Sequence, residues 1–139
     1  MNRLIFSLFL AALFSGVAFA AESPAAADEI VQRLTATSFK ETVVENDPRL
    51  GQTRKLLDKA VKLTREEPMA IAAACSRYVG HLHDSAQIDA TPLELLEALA
   101  RFGRSGESMR DTLQAYVVAR KAAPSRNHAD AMQAMGKRK

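Results

Sequence analysis

The chain has 139 residues, 47% of them hydrophobic, and its 19 Lys and Arg against 16 Asp and Glu give a formal net charge of +3 at pH 7. This near balance excludes a strongly basic protein, and we expect no nucleic-acid partner. The length is typical of one domain whose core can form without disulfides.

Residues 1–20 have the pattern of a bacterial secretory signal peptide. A short start carrying Arg3 precedes an apolar run over residues 4–14, and Ala18-Phe19-Ala20 forms an A-x-A cleavage motif. We predict cleavage after this motif, a location in the periplasm or outside the cell, and no transmembrane segment in the mature chain. The alternative is an uncleaved anchor, because residues 4–21 contain no Lys or Arg.

Residues 21–27 are mostly alanine without an apolar period, which predicts a flexible lead-in. We expect a single helical domain over residues 28–136 and a basic tail over residues 137–139. A helical pattern starts at Asp28 and weakens where β-branched and hydroxyl residues cluster near Thr37. The first helix is therefore predicted to bend or split near Thr37.

Two proline-containing pairs predict the starts of the second and third helices. In Asp47-Pro48 the carboxylate can accept hydrogen bonds from free first-turn amides, and proline at the first helical position loses no hydrogen bond. Glu67-Pro68 predicts a start of the same kind. Apolar residues at spacings of three and four extend these helices to about Arg65 and to about residues 84–86.

Three further helices are predicted in the last third of the chain. Thr91-Pro92-Leu93-Glu94 has the spacing of a capping box and starts the fourth helix. Gly103 follows its apolar stripe, where we expect a left-handed C-terminal cap. A fifth helix capped by Ser108 and a short sixth helix over residues 125–136 complete the chain.

The whole pattern is helical, and the sequence has no strand alternation, internal repeat or glycine-rich phosphate loop. We therefore predict an all-α protein, a small bundle of five or six helices after a cleaved N-terminal signal peptide. We expect no cofactor.

Cys75 is the only cysteine and lies in the middle of the apolar stripe of the third helix, near Ile71, Val79 and Leu82. We expect it to be buried as a small apolar side chain. A single cysteine cannot form an internal disulfide. Exposure would instead indicate an intermolecular disulfide or a reactive thiol.

The histidines raise the question of a metal or catalytic site. His81 and His83 are two residues apart, so on a helix they point about 200° away from each other and cannot bind one ion together. His128 stands at the predicted start of the sixth helix, where we expect a solvated side chain. No nucleophile, paired carboxylate or catalytic motif accompanies them, and we predict no metal site and no enzymatic activity.

Charge is unevenly distributed along the chain. Residues 49–65 hold six basic residues and one acidic residue, whereas residues 84–97 hold four acidic residues and no Lys or Arg. These segments either lie near each other, are merely solvated, or form a functional surface. The candidate binding residues are basic residues of the second helix and methionines of the sixth: Arg54, Lys55, Lys59, Lys62, Met132 and Met135.

The export signal, the small helical domain, the Cys75-x-x-Tyr78-x-Gly80 segment and the later helix pair with Tyr116 and His128 give the chain a resemblance to small periplasmic immunity proteins of the Tai type. The resemblance implies a protein that neutralises a secreted toxin of rival cells. Members of that family usually carry a second cysteine, which this chain lacks, so the resemblance implies no disulfide here.

The function we predict is that of an exported, non-enzymatic helical domain that binds another protein through a few anchor side chains. One alternative is an envelope-surface binder whose basic helix contacts anionic lipid or glycan. The resemblance adds a second alternative, an immunity-type protein that neutralises a toxin.

Overall fold

The computed structural model describes residues 23–138, and every regular element in this range is an α-helix. The elements are α1 (Pro24–Phe39), α2 (Pro48–Thr64), α3 (Pro68–Ala86), α4 (Pro92–Phe102), α5 (Met109–Ala122) and α6 (His128–Gly136). The predicted all-α bundle is thereby confirmed for these residues. The predicted signal peptide and its cleavage site lie outside the described range.

The bundle is built around α4, which packs against each of the other five helices. These contacts bury a broad face of α4, whereas Glu97 is partly exposed and Arg101 is exposed on the remaining side. The buried residues of α4 are Pro92, Leu95, Leu96, Ala98, Leu99 and Ala100. The predicted capping box is present, because Thr91 Oγ1 accepts from the Glu94 amide at 3.3 Å and Glu94 Oε2 accepts from the Thr91 amide at 2.9 Å.

Packing of α1 on α2 buries two threonines. Thr35 Oγ1 and Thr53 Oγ1 lie 2.8 Å apart, and both side chains are enclosed. Each hydroxyl also lies within hydrogen-bond distance of the carbonyl oxygen four residues earlier in its own helix. Because Thr35 finds these partners without leaving the helix, α1 runs unbroken through Thr37, and the expected split there is wrong.

Capping side chains correct two predicted helix starts. Ser23 caps α1, so the predicted lead-in over residues 21–27 is helical from Pro24 onward. Asn127 caps α6, so this helix begins three residues later than the predicted start at Ser125. In both cases a side-chain oxygen accepts a first-turn amide hydrogen, a local signal that the apolar period does not contain.

The two helices predicted from proline-containing pairs, α2 and α3, differ in how their first turns are capped. Asp47 Oδ1 accepts from the Arg49 amide at 2.9 Å, as predicted, and hydrogen bonding to the Arg49 side chain lowers the pKa of Asp47 to about 2. Glu67 makes no side-chain capping hydrogen bond, so its predicted capping role is wrong. At α3, Pro68 alone marks the first helical position.

Gly103 is not the left-handed cap that the sequence predicts, since its φ and ψ are −57° and 139°. A Cβ at this position would lie 2.6 Å from the carbonyl oxygen of Leu99, so lack of space requires glycine here. Left-handed caps do occur at Lys40, Arg65 and Gln87, with φ between 52° and 58°.

Cys75 is fully buried, as predicted, and its burial raises the pKa of the thiol to about 12. It therefore fills space in the core between α3 and its neighbours. Within residues 23–138, no helix combines the length and apolar character needed to cross a bilayer.

Candidate functional site

The predicted basic residues of α2 divide into two groups. Lys55, Lys59 and Lys62 are exposed along one stripe, and none of them forms an ion pair with any residue of the described range. Arg54 lies about 100° away around the helix and pairs with Asp28 of α1. The exposed part of the predicted basic face is therefore the lysine stripe.

The structure places Met132 and Met135 in the core, where they are 6% and 3% exposed. They are buried because the face of α6 that carries them packs against α5 and α4. Their side chains are enclosed and do not form an exposed binding surface.

The acidic segment directs two of its carboxylates toward α5 and α6. Glu94 Oε1 lies 3.5 Å from Arg120 Nη2, and Glu97 Oε2 lies 3.1 Å from His128 Nε2. Neither carboxylate pairs with a lysine of α2. The basic and acidic segments therefore do not neutralise each other through these groups.

A hydrogen-bonded network links α4, α5 and α6. Arg120 Nη1 donates to Tyr116 Oη at 3.3 Å, and Tyr116 Oη lies 2.8 Å from His128 Nδ1. His128 Nε2 completes the chain with Glu97 Oε2. The His128 side chain is only 21% exposed, so the prediction of a solvated histidine is wrong. It is held inward because it bridges a buried hydroxyl and a carboxylate.

Donors and acceptors face each other along this network. A guanidinium only donates, so Tyr116 Oη accepts from Arg120. Nδ1 of His128 faces the Tyr116 hydroxyl, and its Nε2 faces the Glu97 carboxylate. Burial raises the pKa of the Tyr116 hydroxyl, which keeps it a donor.

This network connects α4, α5 and α6, and it does not border a described cleft. Tyr116, His128 and Glu97 line none of the five main clefts formed by residues 23–138. Over the same residues, no group of three or more His, Cys, Asp or Glu side chains is placed to hold a metal ion. The histidine–carboxylate pair is therefore best explained by the attachment of α6 to α4 and α5.

A cleft of about 420 Å³ between α3 and α5 has a different character. We call it the α3/α5 groove, and its lining residues are Ala74, Arg77, Tyr78, His81, Met109, Arg110, Leu113 and Gln114. Ala74 and Leu113 are buried, while Tyr78 and Met109 are half-buried. Tyr, Met and Arg are enriched in protein interfaces, so this lining resembles an interface more than an ordinary surface.

All the charged side chains that line the α3/α5 groove are basic. Arg77 and Arg110 are exposed, and neither lies within 4.0 Å of a carboxylate from residues 23–138. His81 is also exposed at the groove. An apolar floor with basic walls favours a ligand that is both apolar and acidic.

A second groove, between α1 and α3, is apolar but electrically neutral. Its walls include Ile30, Leu34 and Met69, which is half exposed although the helical pattern places it with the core residues. The charges on its rim, Glu29 and Arg33, pair with each other at 2.8 Å. This groove has no unpaired charge to select a partner.

Comparison with known proteins gives no match to a family model, a curated protein or a solved structure. Residues 23–138 form an all-α bundle with an apolar groove between basic walls. This groove, with Tyr78 and Met109 in its lining, was not predicted from the sequence. The available signal was the basic pair Arg77 and Arg110 beside these large apolar residues.

Proposed function

We propose that the protein is an exported, non-enzymatic helical domain that acts by binding another protein through the α3/α5 groove. The observation that carries the proposal is the groove's lining, in which Tyr78, Met109 and Leu113 lie beside two arginines without carboxylate partners in residues 23–138. Interfaces derive most of their affinity from a few such anchors.

The scaffold supports the proposal because both walls of the groove are held by the same central helix. α3 and α5 each pack against α4, and they also pack against each other. A preformed groove loses little conformational entropy when a partner binds, so more of the contact energy appears as affinity.

The alternative of an envelope-surface binder is supported by the lysine stripe of α2. Lys55, Lys59 and Lys62 are available to anionic headgroups or glycans, although the opposite face of α2, with Leu57 and Ala60, is buried in the core. Such a contact would be electrostatic and would weaken as ionic strength passes about 0.15 M. A toxin, the partner that the immunity-protein resemblance implies, would be one protein ligand of the α3/α5 groove.

Site-specific photocrosslinking in the cells that produce the protein tests these proposals. A photoreactive residue is placed at Gln114, on the α3/α5 groove, and in a matched variant at Gln52, an exposed glutamine beside the lysine stripe of α2. We expect one discrete protein adduct from position 114 and none from position 52.

The other outcomes contradict the proposal in distinct ways. A protein adduct from position 52 alone would place the interface on α2 and overturn the role of the groove. Lipid or polysaccharide adducts from position 52, lost above about 0.15 M salt, would favour the envelope-surface alternative. Absence of any protein adduct from both positions would overturn protein binding as the function.

A further inference from the structure

The walls of the α3/α5 groove determine which kind of protein segment it can hold. Both walls are helices, and the described residues contain no strand whose free edge could pair with an extended peptide. An extended segment would therefore leave its own backbone groups without hydrogen-bond partners from the groove. A helix carries its backbone hydrogen bonds internally and needs only side-chain contacts, which is the helix-in-groove mode of recognition.

The length of the groove sets the length of the segment. Along α3, the lining runs from Ala74 through Arg77 and Tyr78 to His81, a stretch of eight residues that spans about 10 Å of helix. This distance corresponds to two helical turns. A docked helix would meet it with apolar side chains at positions i, i+3 or i+4, and i+7.

The charge of the groove walls determines which side chains can flank the apolar stripe of the bound segment. Arg77 on α3 and Arg110 on α5 lie on opposite walls, so an occupant meets a guanidinium on each side of its apolar stripe. No carboxylate lines this groove. Glutamate or aspartate on both flanks of the docked helix would pair with these arginines, whereas lysine there would be repelled.

We infer that the α3/α5 groove binds an acidic amphipathic helix of two to three turns, presented by the partner protein, with leucine-like side chains on the floor and carboxylates against Arg77 and Arg110. The inference rests on the proposed function, because it specifies the chemistry of the partner at the same groove. It differs from that proposal in excluding basic, neutral and extended partner segments.

Synthetic peptides test the partner chemistry directly. The probe is a fluorescent 16-residue helix with leucine at i, i+3, i+4 and i+7 spacing and glutamate on both flanks. One control has the same composition with the leucine period scrambled, and the other replaces every glutamate with lysine. At about 0.15 M salt, fluorescence anisotropy is expected to show that the probe binds the full exported protein at least about tenfold more tightly than either control.

Charge reversal locates the binding. The double variant Arg77→Glu, Arg110→Glu is expected to lose about tenfold in affinity for the glutamate peptide and to gain affinity for the lysine peptide. The matched control Lys55→Glu, Lys59→Glu makes the same change in net charge on α2, and we expect it to alter the affinity less than about twofold. Circular dichroism of both variants checks that the helices are retained.

Four results would overturn the inference. Equal affinities for the glutamate peptide and its scrambled control would show that charge alone is recognised, without a helix in the groove. Equal losses in the two double variants would place the contact outside the groove. Self-association that the Arg77→Glu, Arg110→Glu variant abolishes would make a second copy the occupant. The last is that a photoreactive residue at position 114 still crosslinks a protein while the acidic peptides do not bind. In that case the proposed function is retained, and only the inferred chemistry of the partner is wrong.

Discussion

At the scale of single residues, the polar network of α4, α5 and α6 shows how burial gives specific roles to side chains that seem ordinary in the sequence. Arg120 is 4% exposed, and its Nε is the one buried side-chain nitrogen or oxygen of residues 23–138 without a hydrogen-bond partner. Its other contacts, with Tyr116, Glu94 and the carbonyl oxygen of Asp89, must therefore compensate for removing its charge from water.

The substitution Tyr116→Phe is expected to lower the free energy of unfolding by about 2 kcal/mol, because it leaves Arg120 Nη1 and His128 Nδ1 without their common partner. Tyr78→Phe provides a matched control, since the Tyr78 hydroxyl makes no hydrogen bond with residues 23–138. We expect the control to change stability by less than about 0.5 kcal/mol. Urea denaturation of both variants measures the difference, and equal stabilities would show that the network contributes little to the fold.

At the scale of secondary-structure elements, the ends of the helices depend on space as much as on backbone preference. Lys40, Arg65 and Gln87 adopt left-handed conformations that the sequence rules favour for glycine, and each closes its helix with a backbone hydrogen bond. Gly103 is extended instead, and its missing side chain makes room for the carbonyl oxygen of Leu99. Glycine thus ends α4 because no side chain fits at this position, and not because the backbone is left-handed there.

Alanine substitutions test the steric explanation at Gly103, with Gly80 as the control. Gly103→Ala is expected to destabilise the protein by about 2 kcal/mol, because the added Cβ would meet the Leu99 oxygen at 2.6 Å and force the backbone to shift. Gly80→Ala, within α3, meets nothing within 4 Å and is expected to stabilise by about 0.5 kcal/mol through its lower backbone entropy in the unfolded chain. Thermal unfolding followed by circular dichroism measures both, and a stabilising Gly103→Ala would refute the steric explanation.

At the scale of the whole molecule, the central position of α4 determines both stability and surface. Because each of the other helices contacts α4, the core extends from Ile30 in α1 to Met135 in α6, with Cys75 inside it. The outer helices leave grooves between them, and their surface charges give each groove its character. The small net charge of the chain therefore coexists with a locally basic α3/α5 groove.

Burial of Cys75 predicts a loss of stability in alkaline solution. Its folded pKa of about 12 lies above the ordinary thiol value, so its contribution is complete below pH 8 and is lost as the pH rises toward the folded value. Between pH 7 and pH 10, the unfolding free energy of the wild type should fall by about 1.5 to 2 kcal/mol more than that of Cys75→Ala. Each protein is compared with itself by urea denaturation, so the cavity left by alanine cancels.

The buried Tyr116 hydroxyl, whose pKa is also raised, acts in the same direction in both proteins and does not affect the comparison. Identical pH dependence of wild type and Cys75→Ala would contradict the burial of an un-ionised thiol, as would fast labelling of Cys75 by a thiol reagent under native conditions.

The helical class, the approximate extent of most helices and the burial of Cys75 could be predicted from the sequence. These features depend on apolar periods and capping side chains within one or two turns, such as the pair Thr91 and Glu94. Ser23 and Asn127 cap α1 and α6 with side-chain oxygens. The prediction relied on apolar periods and did not use these local signals.

The pairing of distant polar residues and the position of an open groove could not be predicted, because both depend on how the helices pack. Helical spacing places Arg77 and Arg110 on the surface of their own helices, but the packing of α3 beside α5 brings them to one groove. In the same way, His128 became part of a network because α6 folds back onto residues that are 12 and 31 positions away in sequence. Such contacts depend on how all six helices share the surface of α4, which no local pattern encodes.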